Sequence, residues 1–263
     1  MARGEFMRSV WIAVACGMVV GKVIAAEMEP EQAFPYTPPD ARMRVKYVEV
    51  FSLTGSPKER LIKLAFDKTF ALLGLAAALP ILCTIFASHF ALALFLPDQR
   101  GRLLISYRAV SGGKVFPKYK LRVIKEAFID RAGALRGDWH AYAAEWTPES
   151  HTHLGVVLKK FYLDELPQLF NILLGHMSVV GPRPLAEHHY ERDCAQGNVH
   201  RKLVKAGLVG PSQALKGTSR YGNPEAEYEY VDKCLKLSGP ALLWFDLKLI
   251  GRSARVVAQA KGL

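Results

Sequence analysis

The chain has 263 residues, of which half are hydrophobic and 22% are charged, and its 35 lysines and arginines outnumber its 24 aspartates and glutamates to give a net charge of +11. This composition excludes an intrinsically disordered protein and suits a globular protein with some membrane character. The basic excess favours an anionic partner, such as phospholipid head groups, a phosphorylated substrate or nucleic acid, but charge alone does not choose among them.

An apolar helix is the first predicted element, within residues 1–28. Residues 10–26 are mostly apolar and are interrupted only by Lys22. Three interpretations stay open for this helix: it anchors the protein in a membrane, it is buried in the protein or against a partner, or it is a signal peptide that is cleaved.

Residues 29–56 are predicted to form a linker. Four prolines stand between residues 29 and 40, which favours an extended chain. Residues 44–53 partly alternate between apolar and polar side chains and are expected to form one strand. If the chain has a protein partner, we expect the partner to bind this N-terminal extension.

A second apolar segment gives the clearest indication of a membrane. Residues 70–96 contain no Asp, Glu, Lys or Arg, and a straight helix of that length would measure about 40 Å, more than the ~30 Å hydrocarbon core requires. Pro80 lies inside the segment, and an interior proline kinks or breaks a helix. We therefore expect residues 57–97 to form a re-entrant membrane helix, broken at the proline. A kinked spanning helix and a buried helix of a soluble core are the alternatives.

The chain becomes basic after the second apolar segment, and residues 98–263 are predicted to form one cytoplasmic domain. Positive charge beside a membrane segment indicates the cytoplasmic face and contact with anionic lipid. The turn signal Ser-Gly-Gly-Lys at 111–114 separates two strand-like runs, 104–110 and 115–123, so a hairpin is expected. Residues 124–147 are predicted to be helical.

A carboxylate pair, Asp164 and Glu165, stands at a predicted helix start. Asp164 is a good N-cap, Glu165 and Pro167 suit a first turn, apolar residues then recur at helical spacing, and Gly175 ends the helix. The free N–H groups at a helix start attract phosphate. An acidic N-cap is nevertheless ordinary, so this pattern by itself does not predict catalysis.

Two runs around this pair resemble a family signature. Asp-Glu-Leu-Pro-Gln-Leu-Phe-Asn at 164–171 and Met-Ser-Val-Val-Gly-Pro-Arg-Pro at 177–184 closely resemble the signature of the bacterial sugar transferases, the monotopic polyprenyl-phosphate phosphoglycosyl transferases. The resemblance extends over about residues 58–255, and Tyr-Lys-Leu-Arg at 119–122 is similar to the family's Tyr-Lys-Phe-Arg motif. It implies an α/β fold with mainly helical content, a small hairpin or sheet, a membrane-embedded re-entrant helix and amphipathic surface helices.

The resemblance also implies a reaction. In that family a UDP-sugar donates its sugar-1-phosphate to polyprenol phosphate, the first step of exopolysaccharide or glycoconjugate synthesis at the bacterial inner membrane. Asp164 would be the nucleophile that forms an aspartyl-phosphosugar and releases UMP. Mg²⁺ would neutralise the diphosphate beside Asp164 and Glu165. The substrate-binding residues that the resemblance implies are Lys159, Arg183, Arg122, Lys120, Gln168 and Glu227.

Several positions depart from the family pattern. Lys159 stands where arginine is usual, Phe161 and Tyr162 stand where small hydroxyl residues are common, and Glu227 stands where aspartate is expected. These departures leave an alternative function, a catalytically weak or inactive relative that serves as a membrane scaffold or accessory subunit. Nucleic-acid binding is not expected, because the chain has the charge but no stacking platform or recognisable module.

Overall fold

The computed structural model of the chain describes residues 37–215 and 223–258. The apolar helix predicted within residues 1–28, and the part of the predicted linker before residue 37, lie outside the described residues. Helices predominate in the described part, beside one three-stranded and one two-stranded sheet, which confirms the predicted α/β fold with mainly helical content.

The first described elements are two short helices, α1 (Ala41–Lys46) and α2 (Val48–Ser52). The side chain of Asp40 accepts a hydrogen bond from the backbone N–H of Met43 and so caps the first turn of α1. The single strand predicted for residues 44–53 is therefore wrong.

The physical reason for this correction lies in the burial of α1 and α2. Met43, Tyr47 and Val50 are buried and stand three or four residues apart, which places them on one face of helical backbone. They form a second small core with Tyr228 and Val231. The later part of the predicted linker is thus packed against the rest of the protein.

The second apolar segment forms one long helix, α3 (Leu61–Phe95), with Pro80 in its interior. Among the described helices, α3 is the one that is long and apolar enough to cross a membrane. The helix continues through Pro80, so the proline does not divide the segment into two helices. A bend at Pro80, and entry and exit on the same side of a membrane, stay predictions.

One face of α3 packs against the rest of the protein. Its buried residues, Asp67, Ala71, Ala78 and Ile85, stand four, seven and seven positions apart, which is the spacing of a narrow stripe. The other faces carry large exposed apolar side chains, namely Leu61, Ile62, Leu72, Leu73, Leu79, Ile81, Phe86, Phe90, Leu94 and Phe95. A soluble core helix would bury most of these, so α3 fits a membrane protein.

Polar contacts hold the N-terminal half of α3 in place. Lys63 forms an ion pair with Asp246, with 2.7 Å between Nζ and Oδ2. Asp67 accepts hydrogen bonds from the hydroxyl of Ser178 and the backbone N–H of Val179. Because these partners are 111 to 183 residues away in sequence, the contacts tie α3 to the C-terminal half of the chain.

The predicted hairpin is confirmed by strands β1 (Leu104–Ser111) and β2 (Lys114–Leu121), which pair antiparallel. Gly112 and Gly113 form the two-residue turn with φ angles of 55° and 73°, a region that glycine enters without steric cost. Strand β3 (Ser178–Val180) pairs with β5, and β4 pairs with β1; the bounds are Leu185–Ala186 for β4 and Gly207–Val209 for β5.

The single helix predicted for residues 124–147 is wrong. This stretch holds helix α4 (Arg131–Arg136) between two 3₁₀ helices, Glu126–Phe128 and Trp139–Trp146. Gly137 ends α4 in the left-handed conformation with φ 74°, a common way for a helix to stop. The remaining helices are α5 (His153–Lys160), α6 (Gln168–Leu174), α7 (Glu187–Ala195), α8 (His200–Leu203), α9 (Glu225–Lys236) and α10 (Gly239–Ala258).

Candidate active site

The Asp164–Glu165 pair lies in a 3₁₀ helix, Leu163–Glu165, between α5 and α6. Tyr162, immediately before it, has a left-handed backbone with φ 57° and ψ 20°, the one non-glycine with positive φ within the described ranges. Such a conformation costs on the order of 1 kcal/mol for a residue with a side chain. The left-handed backbone of Tyr162 changes the chain direction between the end of α5 and the 3₁₀ helix that carries Asp164 and Glu165.

The predicted helix start needs a correction. Helix α6 begins at Gln168 with Pro167 as its N-cap, so Asp164 lies one turn before the helix and does not cap it. The proline explains the difference, because its fixed φ angle suits the position just before a first turn. The predicted end is confirmed, since Gly175 closes α6 with φ 87°.

A buried lysine separates Asp164 from a third carboxylate. Lys120 Nζ lies 3.2 Å from Asp164 Oδ2 and 2.7 Å from Glu145 Oε2, and all three side chains are almost fully buried. Burial alone would lower the pKa of Lys120, but Glu145 and Asp164 outweigh it and hold that pKa well above its usual value. Lys120 is therefore a permanent positive charge beside Asp164.

Glu165 is paired with a different cation. Its Oε1 atom lies 2.7 Å from the Nη2 atom of Arg183, a residue of the loop between β3 and β4. Burial would raise the pKa of Glu165, but Arg183, Lys118 and Lys120 together lower it to about 2. Glu165 is consequently ionised at every physiological pH.

The two neighbouring carboxylates differ in their environments. Burial raises the pKa of Asp164, Lys120 opposes this, and the charges of Glu165 and Glu145 raise it further. The charge of Asp164 is thus the less stabilised of the two in the resting site. A pair of acids whose pKa values are pushed apart is typical of a site with divided chemical roles.

Lys159 lies at the edge of the same cluster. Its Nζ atom donates a hydrogen bond to the backbone carbonyl of Glu145 and stands 5.0 Å from the ring centre of Trp146. Burial lowers the pKa of Lys159, and the fields of Glu145 and Asp164 partly restore it. The structure therefore brings Lys159, Lys120 and Arg183 together around the pair, and their roles in substrate binding stay predictions.

Gln168 is buried in the first turn of α6, one turn after Asp164. Its Nε2 atom has no hydrogen-bond partner among residues 37–215 and 223–258. A buried amide donor usually has a partner, since leaving it unpaired costs free energy. Its position suits a donor to an anionic ligand beside Asp164.

Arg122 is engaged away from the pair. Its guanidinium is buried and donates hydrogen bonds to four backbone carbonyls, those of Gln99, Arg100, Arg102 and Ile124. It thereby joins the segment that follows α3 to the end of β2. The structure shows no contact between Arg122 and the acidic pair, so its predicted role in substrate binding gains no support from the geometry.

Glu227 lies in a separate buried cluster. Its Oε2 atom is 2.6 Å from His200 Nε2 and 2.8 Å from Arg201 Nη2. Arg201 Nε in turn lies 3.4 Å from the backbone carbonyl oxygen of Arg183. Glu227 is therefore linked to the site through Arg201 and the Arg183 loop, without touching the pair itself.

The Glu227 cluster predicts an acid-sensitive contribution to folding. Burial alone would raise the pKa of Glu227, but Arg201 and His200 lower it to about 2, against about 4.3 for an unfolded chain. Because the folded pKa is the lower one, this stabilisation is complete above about pH 4.3 and is lost as the pH falls toward 2. We expect Glu227→Gln to destabilise the protein at pH 7 by about 3 kcal/mol. Its thermal unfolding should also depend less on pH than that of the wild type between pH 4.5 and 2.5, and an unchanged pH dependence would contradict this assignment.

Gly181, which begins the Arg183 loop, has no room for a side chain, so a substitution there should strongly lower the stability of the fold. A Cβ atom at this position would overlap the backbone carbonyl oxygen of Lys205 and lie 3.0 Å from the backbone nitrogen of Gly207, so β3 could not stay paired with β5. We expect Gly181→Ala to lower the free energy of unfolding by about 3 kcal/mol. The matched control is Gly251→Ala in α10, where the added Cβ meets no atom within 4 Å. Equal thermal midpoints for the two variants would refute the prediction.

The side chains around Asp164 and Glu165 offer few ligands for the predicted Mg²⁺. Within the described parts of the chain, no group of three His, Cys, Asp or Glu side chains is arranged to hold a metal ion. Asp164 and Glu165 offer two adjacent carboxylates, each already beside a cation. Mg²⁺ is commonly held by one or two carboxylates together with substrate phosphates and water. A magnesium ion at the pair would therefore need further ligands from a phosphorylated substrate and water, and the ion stays a prediction.

Comparison with known proteins identifies clear relatives. The profile of the family described as "Bacterial sugar transferase" matches residues 58–260. The chain is 31% identical over 208 residues to the UDP-glucose:undecaprenyl-phosphate glucose-1-phosphate transferase of Escherichia coli (strain K12), which covers 78% of this chain and 42% of the relative. It is 32% identical over 210 residues to the protein of the same name from Caulobacter vibrioides, covering 76% of this chain and 74% of that relative.

A third relative is the "Exopolysaccharide production protein ExoY" of Sinorhizobium fredii, 31% identical over 137 residues, or 49% of this chain and 58% of that protein. The match to the E. coli protein leaves more than half of that longer relative without a counterpart. The matched residues 58–260 of this chain include α3, the β1–β2 hairpin and the buried group of Lys120, Glu145, Asp164 and Glu165.

Proposed function

Because the chain belongs to the bacterial sugar transferase family, we propose that it transfers a sugar-1-phosphate from a UDP-sugar to polyprenol phosphate, as the first step of exopolysaccharide or glycoconjugate synthesis. The observation that carries this proposal is the buried cluster in which Lys120 and Arg183 hold Asp164 and Glu165 at the end of a strained turn. The names of the relatives support these substrate classes.

The chemistry assigned to Asp164 is nucleophilic. One carboxylate oxygen attacks the β-phosphorus of the UDP-sugar, the bond from that phosphorus to the bridging oxygen breaks, and UMP leaves with the electron pair. The aspartyl-phosphosugar then reacts with an oxygen of polyprenol phosphate, which attacks the same phosphorus and frees Asp164. The higher pKa of Asp164 supports this choice over Glu165, because the less stabilised carboxylate is the better nucleophile.

The surrounding cations have electrostatic roles in the proposal. Lys120 lies within 3.2 Å of Asp164 and offsets the repulsion between the carboxylate and the incoming diphosphate. Arg183 and Lys159 bind phosphate oxygens, and Gln168 donates a hydrogen bond to the donor. Asp164 and Glu165 would hold Mg²⁺, which supplies positive charge to the leaving phosphate when bound.

The position of α3 bears on the membrane topology. Its buried stripe from Asp67 to Ile85 extends over about 27 Å of helix. The apolar members of the stripe, Ala71, Ala78 and Ile85, belong to the same core as Leu169 and Ile172 of α6. A helix that contacts one domain over this length supports re-entry into one leaflet rather than a full span.

In this proposal the protein sits in the bacterial inner membrane with the catalytic domain in the cytoplasm. Protection of residues 98–215 from protease added outside intact spheroplasts is the expected result, and their cleavage would refute the orientation.

Glu145 gives a prediction that the sequence motifs do not. By pairing with Lys120 at 2.7 Å it holds that ammonium beside Asp164, so Glu145→Gln should weaken the placement and charge of Lys120. We expect a loss of about 10- to 100-fold in kcat for UMP release, with a smaller change in KM. Glu149→Gln, at an exposed glutamate four residues after Glu145, is the matched control. An unchanged kcat in Glu145→Gln would contradict a role for Glu145 in positioning Lys120.

UMP release tests the proposed function as a whole. Purified full-length protein is incubated with polyprenol phosphate, Mg²⁺ and a panel of UDP-hexoses and UDP-N-acetylhexosamines, and UMP is quantified. Release of UMP from at least one donor, dependent on polyprenol phosphate for continued turnover, is the expected outcome. Failure of every donor would favour the alternative of a membrane scaffold or accessory subunit, in which the N-terminal extension binds a protein partner.

A further inference from the structure

A cavity of about 580 Å³ lies beside the N-terminal end of α3. Its walls come from residues 56–60 and the first two turns of α3, from the tip of the β1–β2 hairpin, and from the end of α6 and strand β3. Residues 203–205 and side chains of α9 and α10 complete the lining. This volume falls within the range of ~300–1,000 Å³ that is typical of small-molecule sites.

The cavity is separate from the candidate active site. Asp164, Glu165 and Lys120 are absent from its lining, whereas Gly175 and His176, at the far end of α6, contribute to it. The seven residues of α6 alone, which lie between the acidic pair and the cavity, measure about 10 Å. A ligand in the cavity would therefore not occupy the position of a phosphosugar at Asp164.

The rim of the cavity is basic. Five cationic side chains line it, namely Lys58, Arg60, Lys63, Lys114 and Lys205. Lys205 is paired with Glu59 at 2.6 Å, and Lys63 with Asp246 at 2.7 Å. Among residues 37–215 and 223–258 no acidic side chain pairs with Lys58, Arg60 or Lys114. Arg60 Nη2 donates a hydrogen bond to the backbone carbonyl of Leu235, but its charge, like those of Lys58 and Lys114, is not neutralised by a carboxylate of these residues.

The start of α3 adds to this positive potential. Arg60 is the N-cap residue, and no side chain caps the helix, so the first backbone N–H groups have no capping acceptor. These groups border the cavity, because Arg60, Lys63 and Leu64 all line it. An uncapped helix start and a cluster of cations together favour a phosphate group.

The rest of the lining combines an apolar surface with polar side chains, among them the carboxylates Glu59 and Asp67, which are paired with Lys205 and Lys63. The apolar surface indicates an amphiphilic ligand. Leu64, Val115 and Phe116 contribute from one side, and Val204 and Leu242 from the other. The cavity also lies at the end of the helix whose exposed apolar side chains fit a membrane. A ligand with an anionic head and an apolar body matches both features of the site.

We propose that this cavity binds an anionic phospholipid, with the lipid phosphate at the rim formed by Lys58, Arg60 and Lys114. The site would hold the N-terminal end of α3 against the hairpin at the level of the head groups. It depends on the proposed membrane association, which would supply the lipid, and is independent of catalysis by Asp164.

Native mass spectrometry of the full chain in a neutral detergent tests this site. Phosphatidylglycerol and phosphatidylcholine with the same acyl chains are added at equal concentration. The wild type should carry at least about fivefold more phosphatidylglycerol, and Lys58→Gln/Lys114→Gln should lose that preference. The control Lys160→Gln/Lys248→Gln removes the same charge from two lysines that lie against Phe161 and Trp244, outside the cavity, and should keep it.

Three outcomes would overturn the proposal: equal binding of both lipids by the wild type, a preference that survives in Lys58→Gln/Lys114→Gln, or an equal loss in the control. A thermal midpoint that rises as much with 10 mM inorganic phosphate, on the order of free cellular anions, as with phosphatidylglycerol would overturn the lipid assignment in favour of a free anion. Asp164→Asn should retain the lipid preference, which separates failure of this site from failure of the proposed reaction. Flotation with vesicles reports membrane association independently.

Discussion

Replacing Asp164 with asparagine is expected to abolish the covalent intermediate and to lower UMP release by at least about 10³-fold. The amide is nearly isosteric but is a far weaker nucleophile and carries no charge for Lys120 to pair with. The measurement is intact mass after incubation with UDP-sugars without polyprenol phosphate. Wild-type protein should gain the mass of one phosphosugar, and the variant should gain none.

Glu165→Gln is the matched control for the nucleophile. It removes a carboxylate from the next residue, one that Arg183 holds at 2.7 Å, and should slow turnover while still allowing a phosphosugar adduct to form. An adduct on Asp164→Asn, or its absence only in Glu165→Gln, would reverse the assigned roles. The mass of the adduct would also identify the sugar class of the donor.

Replacing Lys120 with methionine is expected to have the second largest effect, on activity and on stability together. Lys120 is the shared partner of Asp164 and Glu145, and none of the three side chains is more than 13% exposed. Removal of one member of a buried ion pair typically costs about 3–5 kcal/mol, because the remaining charges lose their compensation. Loss of its positive charge from the transition state should lower kcat by about 10²- to 10³-fold.

The pH dependence of Lys120→Met distinguishes an electrostatic role from simple unfolding. Lys120 lowers the pKa values of Asp164 and Glu145, so without it both acids should titrate at higher pH. Residual UMP release should therefore recover at higher pH than in the wild type. Lys125→Met, at a half-buried lysine near Asp98, is the control and should leave the profile unchanged. A Lys120→Met enzyme with the wild-type pH profile would contradict the electrostatic role.

Features that depend on a few neighbouring residues were predictable from the sequence. The glycine turn at 112–113 produces the hairpin, Gly175 ends α6, and the uncharged run around Pro80 forms a helix with exposed apolar faces. The signature around Asp164 located the acidic pair. In each case the responsible interactions lie within one or two turns of chain, where backbone sterics and hydropathy act directly.

Interactions between distant segments decided the rest. Glu145 stands in a tryptophan-rich stretch with no motif, and only the packing of the 3₁₀ helix 139–146 beside β2 brings it to Lys120. Arg122 belongs to a recognisable motif, yet the fold commits it to backbone carbonyls.

The sequence by itself therefore determined the family, the apolar helix and the pair Asp164–Glu165. Tertiary structure alone decided that Asp164 shares a buried lysine with Glu145, while Glu165 belongs to Arg183. It also created the basic cavity at the start of α3 from six separate stretches of chain. The physical reason is that burial and charge pairing set the reactivity of these groups, and both depend on neighbours that only the folded chain brings together.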